Sequence, residues 1–173
     1  MFVKELDYNV YKRHRYSAEI HSDRYLSIRP QGEGFDIKWI DSEKEIVKYL
    51  EDEMLSEWLE DPVAYGAFED NKLIGYIEGF HEKWNNRFRI TNICIFDSAL
   101  RGIGIGTRLL DAMMVNALQS GSRMIVLETQ SYNSKAIAFY KKNGFEIIGF
   151  DRFAYSNSDP EENNMRIEMG KRL

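Results

Sequence analysis

The sequence predicts a mixed α/β fold with a mostly antiparallel central sheet flanked by helices. Two hydrophobic patterns carry that prediction. Short alternating or continuously apolar runs, bounded by turn residues, recur along the chain as strands do. Between them lie longer runs with apolar residues every three or four positions, as in helices that face a core. The resulting order is ββ-α-βββ-α-β-α-ββ, with hairpins first and a βαβαβ unit later.

Residues 24–30 and 35–40 alternate enough for short strands. Residues 43–59 place Ile46, Val47, Leu50, Met54, Leu55 and Trp58 at spacings of three and four, which predicts an amphipathic helix with its acids outward. It is expected to stop before Asp61-Pro62, because the residue ahead of a proline disfavours helical geometry. Residues 63–68 and 72–80 read as strands joined by the turn Glu69-Asp70-Asn71-Lys72, and 89–96 as a third strand. Trp84 is expected in the core. Residues 104–118 form a helix with Leu109, Leu110, Met113, Met114 and Ala117 on its buried side. The nearly unbroken apolar run at 122–128 predicts a central strand. A second helix covers 133–142 and closes at Asn143-Gly144, a C-cap pair. Residues 145–150 and 164–168 are the closing strands. Such sheets bind ligands at strand ends, here near 96–104 and 128–133.

The chain has 173 residues, which predicts a single domain over 1–173. Roughly 70% of the unfolded surface can be buried at that size, without a disulfide or metal staple. Hydrophobic residues at 43% and aromatics at 13% exclude a disordered chain. The longest apolar run, 136–140, is far short of the ~20 residues that span a bilayer, so no membrane partner is expected. Early charges in residues 1–7 lack the pattern of a signal peptide, and the expected location is the cytoplasm. Cys94 is the single cysteine, and His14, His21 and His81 lack metal-ligand spacing, so no metal is expected. A net charge of −5 argues against a nucleic-acid partner. The charge is uneven: residues 41–70 hold eleven acids and two lysines, a net −9. That segment reads either as a solvated face or as a field that gathers a small cationic molecule.

The sharpest chemical signal is Arg101-Gly102-Ile103-Gly104-Ile105-Gly106-Thr107, which follows an apolar strand and opens a helix. Glycine lets the backbone pass close to a ligand because no Cβ intrudes. The first N–H groups of the helix have no intrahelical partner and sit at the positive end of its dipole, which suits a phosphate or pyrophosphate. The Walker pattern fails for want of a Lys-Ser/Thr pair. The dinucleotide pattern fails because Gly104-Ile105-Gly106 is followed by Thr107, Arg108 and Leu109.

The spacing Arg101-x-x-Gly104-x-Gly106 matches the acyl-CoA signature of the GNAT N-acetyltransferase family. Residues 133–145 resemble that family's second signature, Asn-x-x-Ala-x-x-x-Tyr-x-x-x-Gly-Phe, at every fixed position. The resemblance covers roughly residues 60–150. Leu127-Glu128-Thr129-Gln130, Phe139-Tyr140, Gly149-Phe150-Asp151 and Trp84-Asn85-Asn86 are similar to the streptothricin acetyltransferases, which acetylate an amine of a cationic antibiotic. The chain departs from them at Asn92-Ile93, where they tend to carry an acidic pair, and in its C-terminal residues 164–169.

The resemblance implies an acyl-CoA N-acyltransferase fold with acetyl-CoA as co-substrate. Arg101, Gly102, Ile103, Gly104, Ile105, Gly106 and Thr107 would hold the CoA pyrophosphate. Cys94, Ile95 and Phe96 would run beside the pantetheine arm, with an amide near Ile95–Phe96 stabilising the oxyanion. Cys94 itself reads as a small buried hydrophobe. Asn133 would cap its helix and meet the pantetheine. Tyr140 would protonate the leaving thiolate, since a phenol of pKa ~10 is protonated at neutral pH. Glu128, ending a buried strand, is the candidate base, because an amine of pKa near 10 must lose a proton before it attacks. Trp84, Tyr76 and Glu78 are further candidates for acceptor contacts, with the core the alternative for Trp84. The implied reaction is acetyl transfer to a primary amine of a small cationic molecule such as streptothricin. Protein or peptide N-acetylation, a non-catalytic acyl-CoA-binding module, and assembly as a homodimer stay open.

Overall fold

The computed structural model describes residues 1–173. In chain order the elements are β1 (Phe2–Glu5), α1 (Tyr8–Tyr11), β2 (Arg15–Gln31), β3 (Gly34–Glu53), β4 (Val63–Glu69), β5 (Lys72–Glu82) and β6 (Arg87–Ile95). A 3-10 turn at Ser98–Leu100 leads to α2 (Ile105–Gln119), β7 (Met124–Gln130), α3 (Ser134–Lys142), β8 (Glu146–Asp151) and β9 (Arg166–Arg172). They fall into two compact units. The first holds Met1–Glu19, Tyr49–Leu127 and Arg172–Leu173; the second holds Ile20–Lys48 and Glu128–Lys171.

In the first unit the strand order is β1-β4-β5-β6-β7, antiparallel except for the parallel β6–β7 pair. The turn between β4 and β5 puts Asp70 and Asn71 at φ of 47° and 63°, the left-handed pair of a hairpin whose twist matches its strands. α2 packs against this sheet. Its Ile105, Leu109, Leu110, Met113 and Ala117 are buried, which is the stripe that their spacing predicts. Leu6, Met54, Leu55, Ala64, Phe68 and Tyr76 form a second apolar cluster. The β5–β6 register shifts by one residue between Glu78 and Gly79, a β-bulge. Gly79 permits this approach, because a Cβ there would run into the carbonyl oxygen of Arg89 and lie 2.8 Å from the Phe88 ring.

In the second unit the C-terminal part of β7 is followed in strand order by β9 and β8, the latter two antiparallel. α3 begins at Asn133, whose side chain accepts the Ala136 N–H at 3.3 Å. It ends at Asn143, with Gly144 at φ +85°. Ile137, Tyr140, Phe145, Ile167 and Met169 are buried.

The helix expected over 43–59 does not form. Its first eleven residues belong to β3, which pairs with β2 in a two-stranded sheet. Glu45, Val47 and Tyr49 are exposed, while Ile46 and Lys48 between them are half-covered, which is a period of two. Helix propensity is a weak prior, and the cross-strand pairing of a long hairpin overrides it. Met54 and Leu55, the most buried part of the expected stripe, lie in the turn after β3. Trp84 is not in the core: it is 83% exposed in the turn between β5 and β6.

Gly79→Ala is expected to destabilise the protein by about 1–3 kcal/mol, the usual cost of forcing atoms into a packed site. Gly32→Ala, at φ +57° with nothing within 4 Å of its Cβ, should cost less. Thermal melts of the two variants compare the steric and the conformational penalty.

Candidate functional site: a glycine loop and two carboxylate clusters

In the first unit β6 and β7 keep parallel register only from Arg87↔Met124 to Arg89↔Val126, while β6 pairs with β5 as far as Ile95. Phe96 donates its N–H to the Ile74 carbonyl at 3.1 Å. Backbone groups alternate between the two edges of a strand, so those of Ile95 turn away from β5. The Phe96 N–H is thus committed to the sheet. Ile95 is the residue whose backbone turns toward the other edge. Its carbonyl accepts Arg101 Nε at 3.3 Å and Nη2 at 3.1 Å, and Arg101 Nη1 donates to the Glu19 carbonyl at 2.7 Å. The guanidinium thus ties the loop to two backbone segments.

Gly102 and Gly104 stand at φ +86° and +93°, where glycine alone is unstrained. A Cβ at either would meet nothing within 4 Å, so the space above them is open. Gly104 is the N-cap of α2 and supplies no side-chain cap. The first N–H bond back into the helix is Arg108 to the Gly104 carbonyl at 3.2 Å. The N–H groups of Ile105, Gly106 and Thr107 precede it and have no intrahelical acceptor. Cys94 is buried, and burial pushes its thiol up to about 11, a rise that the nearby Arg101 opposes and Asp52 reinforces. That excludes a thiolate nucleophile at neutral pH.

Beside this strand the structure brings together residues whose proximity the sequence only hinted at. Glu78 is 1% exposed. Its Oε2 accepts the Leu55 N–H at 2.6 Å, and its Oε1 accepts Asn92 Nδ2 at 3.0 Å and Thr91 Oγ1 at 3.3 Å. Burial raises its carboxyl above the usual range, against the pull of those three donors. Leu55 sits at φ +51°, strained for a leucine. The Tyr16 and Tyr76 rings meet edge-to-face at 5.1 Å, and both hydroxyls are buried without a well-formed hydrogen bond. Burial raises the pKa of each.

In the second unit Tyr140 is 6% exposed, its ring 5.3 Å from Phe139 and 5.9 Å from Phe145. Glu128 accepts the Tyr155 hydroxyl at 3.3 Å and lies 3.8 Å from Arg166 Nη1. Burial, then the Glu128 charge, raises the Tyr155 hydroxyl and keeps it a donor. Arg166 also approaches Asp151 at 3.7 Å and Glu168 at 3.8 Å. Neither Tyr155 nor Arg166 stands in a motif, so nothing in the sequence marked them.

The strand order and the glycine-led helix define a GNAT-type acyltransferase fold. Residues 30–145 match the model of the Acetyltransferase (GNAT) family, and the chain belongs to that family. The streptothricin acetyltransferase of Escherichia coli is 38% identical over 96 residues, 56% of this chain and 54% of that protein. The chain thus spans about half the length of that relative. The crystal structure of nourseothricin acetyltransferase matches with a TM-score of 0.80 at 19% identity, covering 99% of this chain and 97% of that one. A protein of Bacillus anthracis str. Ames, solved in complex with acetyl coenzyme A, matches with a TM-score of 0.76 at 23% identity and the same coverage. These two structures establish the fold.

Glu78 has a testable pH signature. A carboxyl raised on folding holds its proton more tightly in the folded than in the unfolded chain. Its contribution is present below the ordinary value of 4.5 and is lost as pH rises through the raised value. The uncharged Glu78→Gln variant should match wild type near pH 4 and gain on it at higher pH, by several degrees in Tm. A difference that stays flat across pH would show that Glu78 titrates normally.

Proposed function

We propose that residues 1–173 act as one acetyltransferase domain that moves the acetyl group of acetyl-CoA to a primary amine of a small cationic molecule, with streptothricin the first acceptor to test. One observation carries this reading: an uncapped helix N-terminus behind two left-handed glycines, with open space above them. Three free N–H groups at a helix dipole suit a pyrophosphate. Membership of the GNAT family and the names of the relatives support the acyl donor and the acceptor class.

In this reading the amides of 102–107 hold the pyrophosphate, and Arg101 keeps the loop in place. The Cys94–Phe96 strand lies along the pantetheine arm, and the Ile95 amide faces the developing oxyanion. Asn133 adds a polar contact from the start of α3. The deprotonated amine attacks the thioester carbonyl, the C–S bond breaks, and Tyr140 gives its proton to the thiolate. Glu128, held by Tyr155 and Arg166, takes the proton of the amine. The burial of Glu78 favours a second reading of the base, because a carboxyl with a raised pKa is better matched to neutral pH.

A thiol-release assay with streptothricin tests the proposal. Tyr140→Phe should lower kcat by roughly 10²–10⁴-fold, the usual effect of losing a general acid. Of Glu128→Gln and Glu78→Gln, the variant that loses the acidic limb of the kcat/KM–pH profile identifies the base. No thiol release with any primary amine would sink the enzymatic reading.

Gly104→Ala forces a side chain into a left-handed position and misdirects the loop amides. Its Kd for CoA, measured by calorimetry, is expected to rise at least tenfold while the protein stays folded. Unchanged affinity would remove the loop from the CoA site.

A further inference from the structure

The second unit contains a cavity of about 720 Å³ lined by the turn and start of the β2–β3 hairpin, the end of β8 and the loop after it, and the start of β9. That volume lies in the range of small-molecule sites, and the cavity is open to solvent on one side. None of the residues around it is named by the signatures at 101–107 or 133–145.

Three kinds of group converge on the cavity. The first is aromatic: Phe35 and Phe150 meet edge-to-face at 4.9 Å, and Phe153 also lines the cavity. Phe35 and Phe153 are 50% and 53% exposed, so their rings have surface left to offer. The second is acidic. Glu33, Asp151 and Glu168 line the cavity, and Glu33 makes no ion pair. The two cations of the lining are already engaged. Arg166 is shared among Glu128, Asp151 and Glu168 at 3.7–3.8 Å, and Arg152 lies over the Phe153 ring at 5.1 Å. The third is the Arg166 guanidinium itself, which lines the cavity and reaches Glu128, Asp151 and Glu168.

Together these groups specify a ligand chemistry. Exposed aromatic faces and surplus carboxylates attract an organic cation. We propose that this cavity binds a small organic polycation, and that this molecule is the acetyl acceptor. Arg166 then has a defined place: it links the cavity wall to Glu128, so the acceptor is held beside the carboxylate assigned to its proton. The inference rests on the acetyltransferase reading for the identity of the ligand and on the cavity for its place. A basic protein segment is the competing occupant. The volume of about 720 Å³ matches a small molecule, and the link through Arg166 to Glu128 favours an acceptor amine there.

The test uses the double variant Phe35→Ala/Phe153→Ala and the single variant Glu33→Gln, all at exposed positions. Calorimetry with streptothricin and with an aminoglycoside reads the cavity directly, without turnover. At least one of the two should bind wild type, with Kd raised at least tenfold in the double variant and severalfold in Glu33→Gln. In the assay the loss should appear in KM rather than kcat. Acetyl-CoA affinity within twofold of wild type checks that the variants are folded. A Kd within twofold in the double variant overturns the proposal, as does binding of a basic peptide with neither small polycation bound. Turnover of other amines by a wild type that binds neither polycation would overturn the cavity assignment and leave the acetyltransferase reading standing. Absence of acetyl-CoA binding would instead remove that reading.

Discussion

The early end of the β6–β7 register is the constraint on which the first unit turns. Two parallel strands that stay paired consume each other's backbone groups. Here the register covers three residue pairs, while β6 continues to Ile95 against β5. The backbone of Ile95 turns away from β5, and its carbonyl becomes the anchor for Arg101. That anchor matters because the loop behind it consists largely of glycine, which gains order only from its surroundings. Fixed at Arg101 and packed through Ile105, the loop presents the N-terminal amides of α2 toward open space. The strand edge and the helix terminus are therefore consequences of one parting of strands.

The carboxylates are handled differently in the two units. Glu78 is fully buried, and desolvation would be costly without its three donors on β6 and the turn after β3. One of those donors is the amide of a leucine at positive φ, so local strain and a buried charge hold each other in place. Two phenol hydroxyls nearby remain unsatisfied. Glu128, by contrast, is partly exposed and belongs to a network centred on Arg166, where one guanidinium serves three carboxylates.

The elements legible in the sequence were those whose local pattern and long-range role agree. The α2 stripe, the Asp70-Asn71 turn and the Asn133 and Asn143-Gly144 caps each follow from short-range chemistry that tertiary contacts reinforce. The glycine spacing likewise announced a helix N-terminus without a side-chain cap. Residues 43–59 misled because Ile46, Val47 and Leu50 fit a helical stripe and a strand equally well. What decided between them was pairing with β2, whose residues lie some twenty or more positions earlier.

The sequence by itself determined the family, the glycine loop and the residue types of the chemistry, because these depend on neighbours in the chain. Tertiary structure alone decided which carboxylates are buried, which amides are spent and where an acceptor could lie. Counting back along the β5–β6 hairpin from Glu82↔Arg87 would set Thr91 opposite Glu78; the bulge at Gly79 moves Asn92 there instead. Phe96 loses its amide to Ile74, and Arg166 gathers partners from three strands. Each of these is a matter of register and packing between distant segments, which residue order constrains but does not spell out.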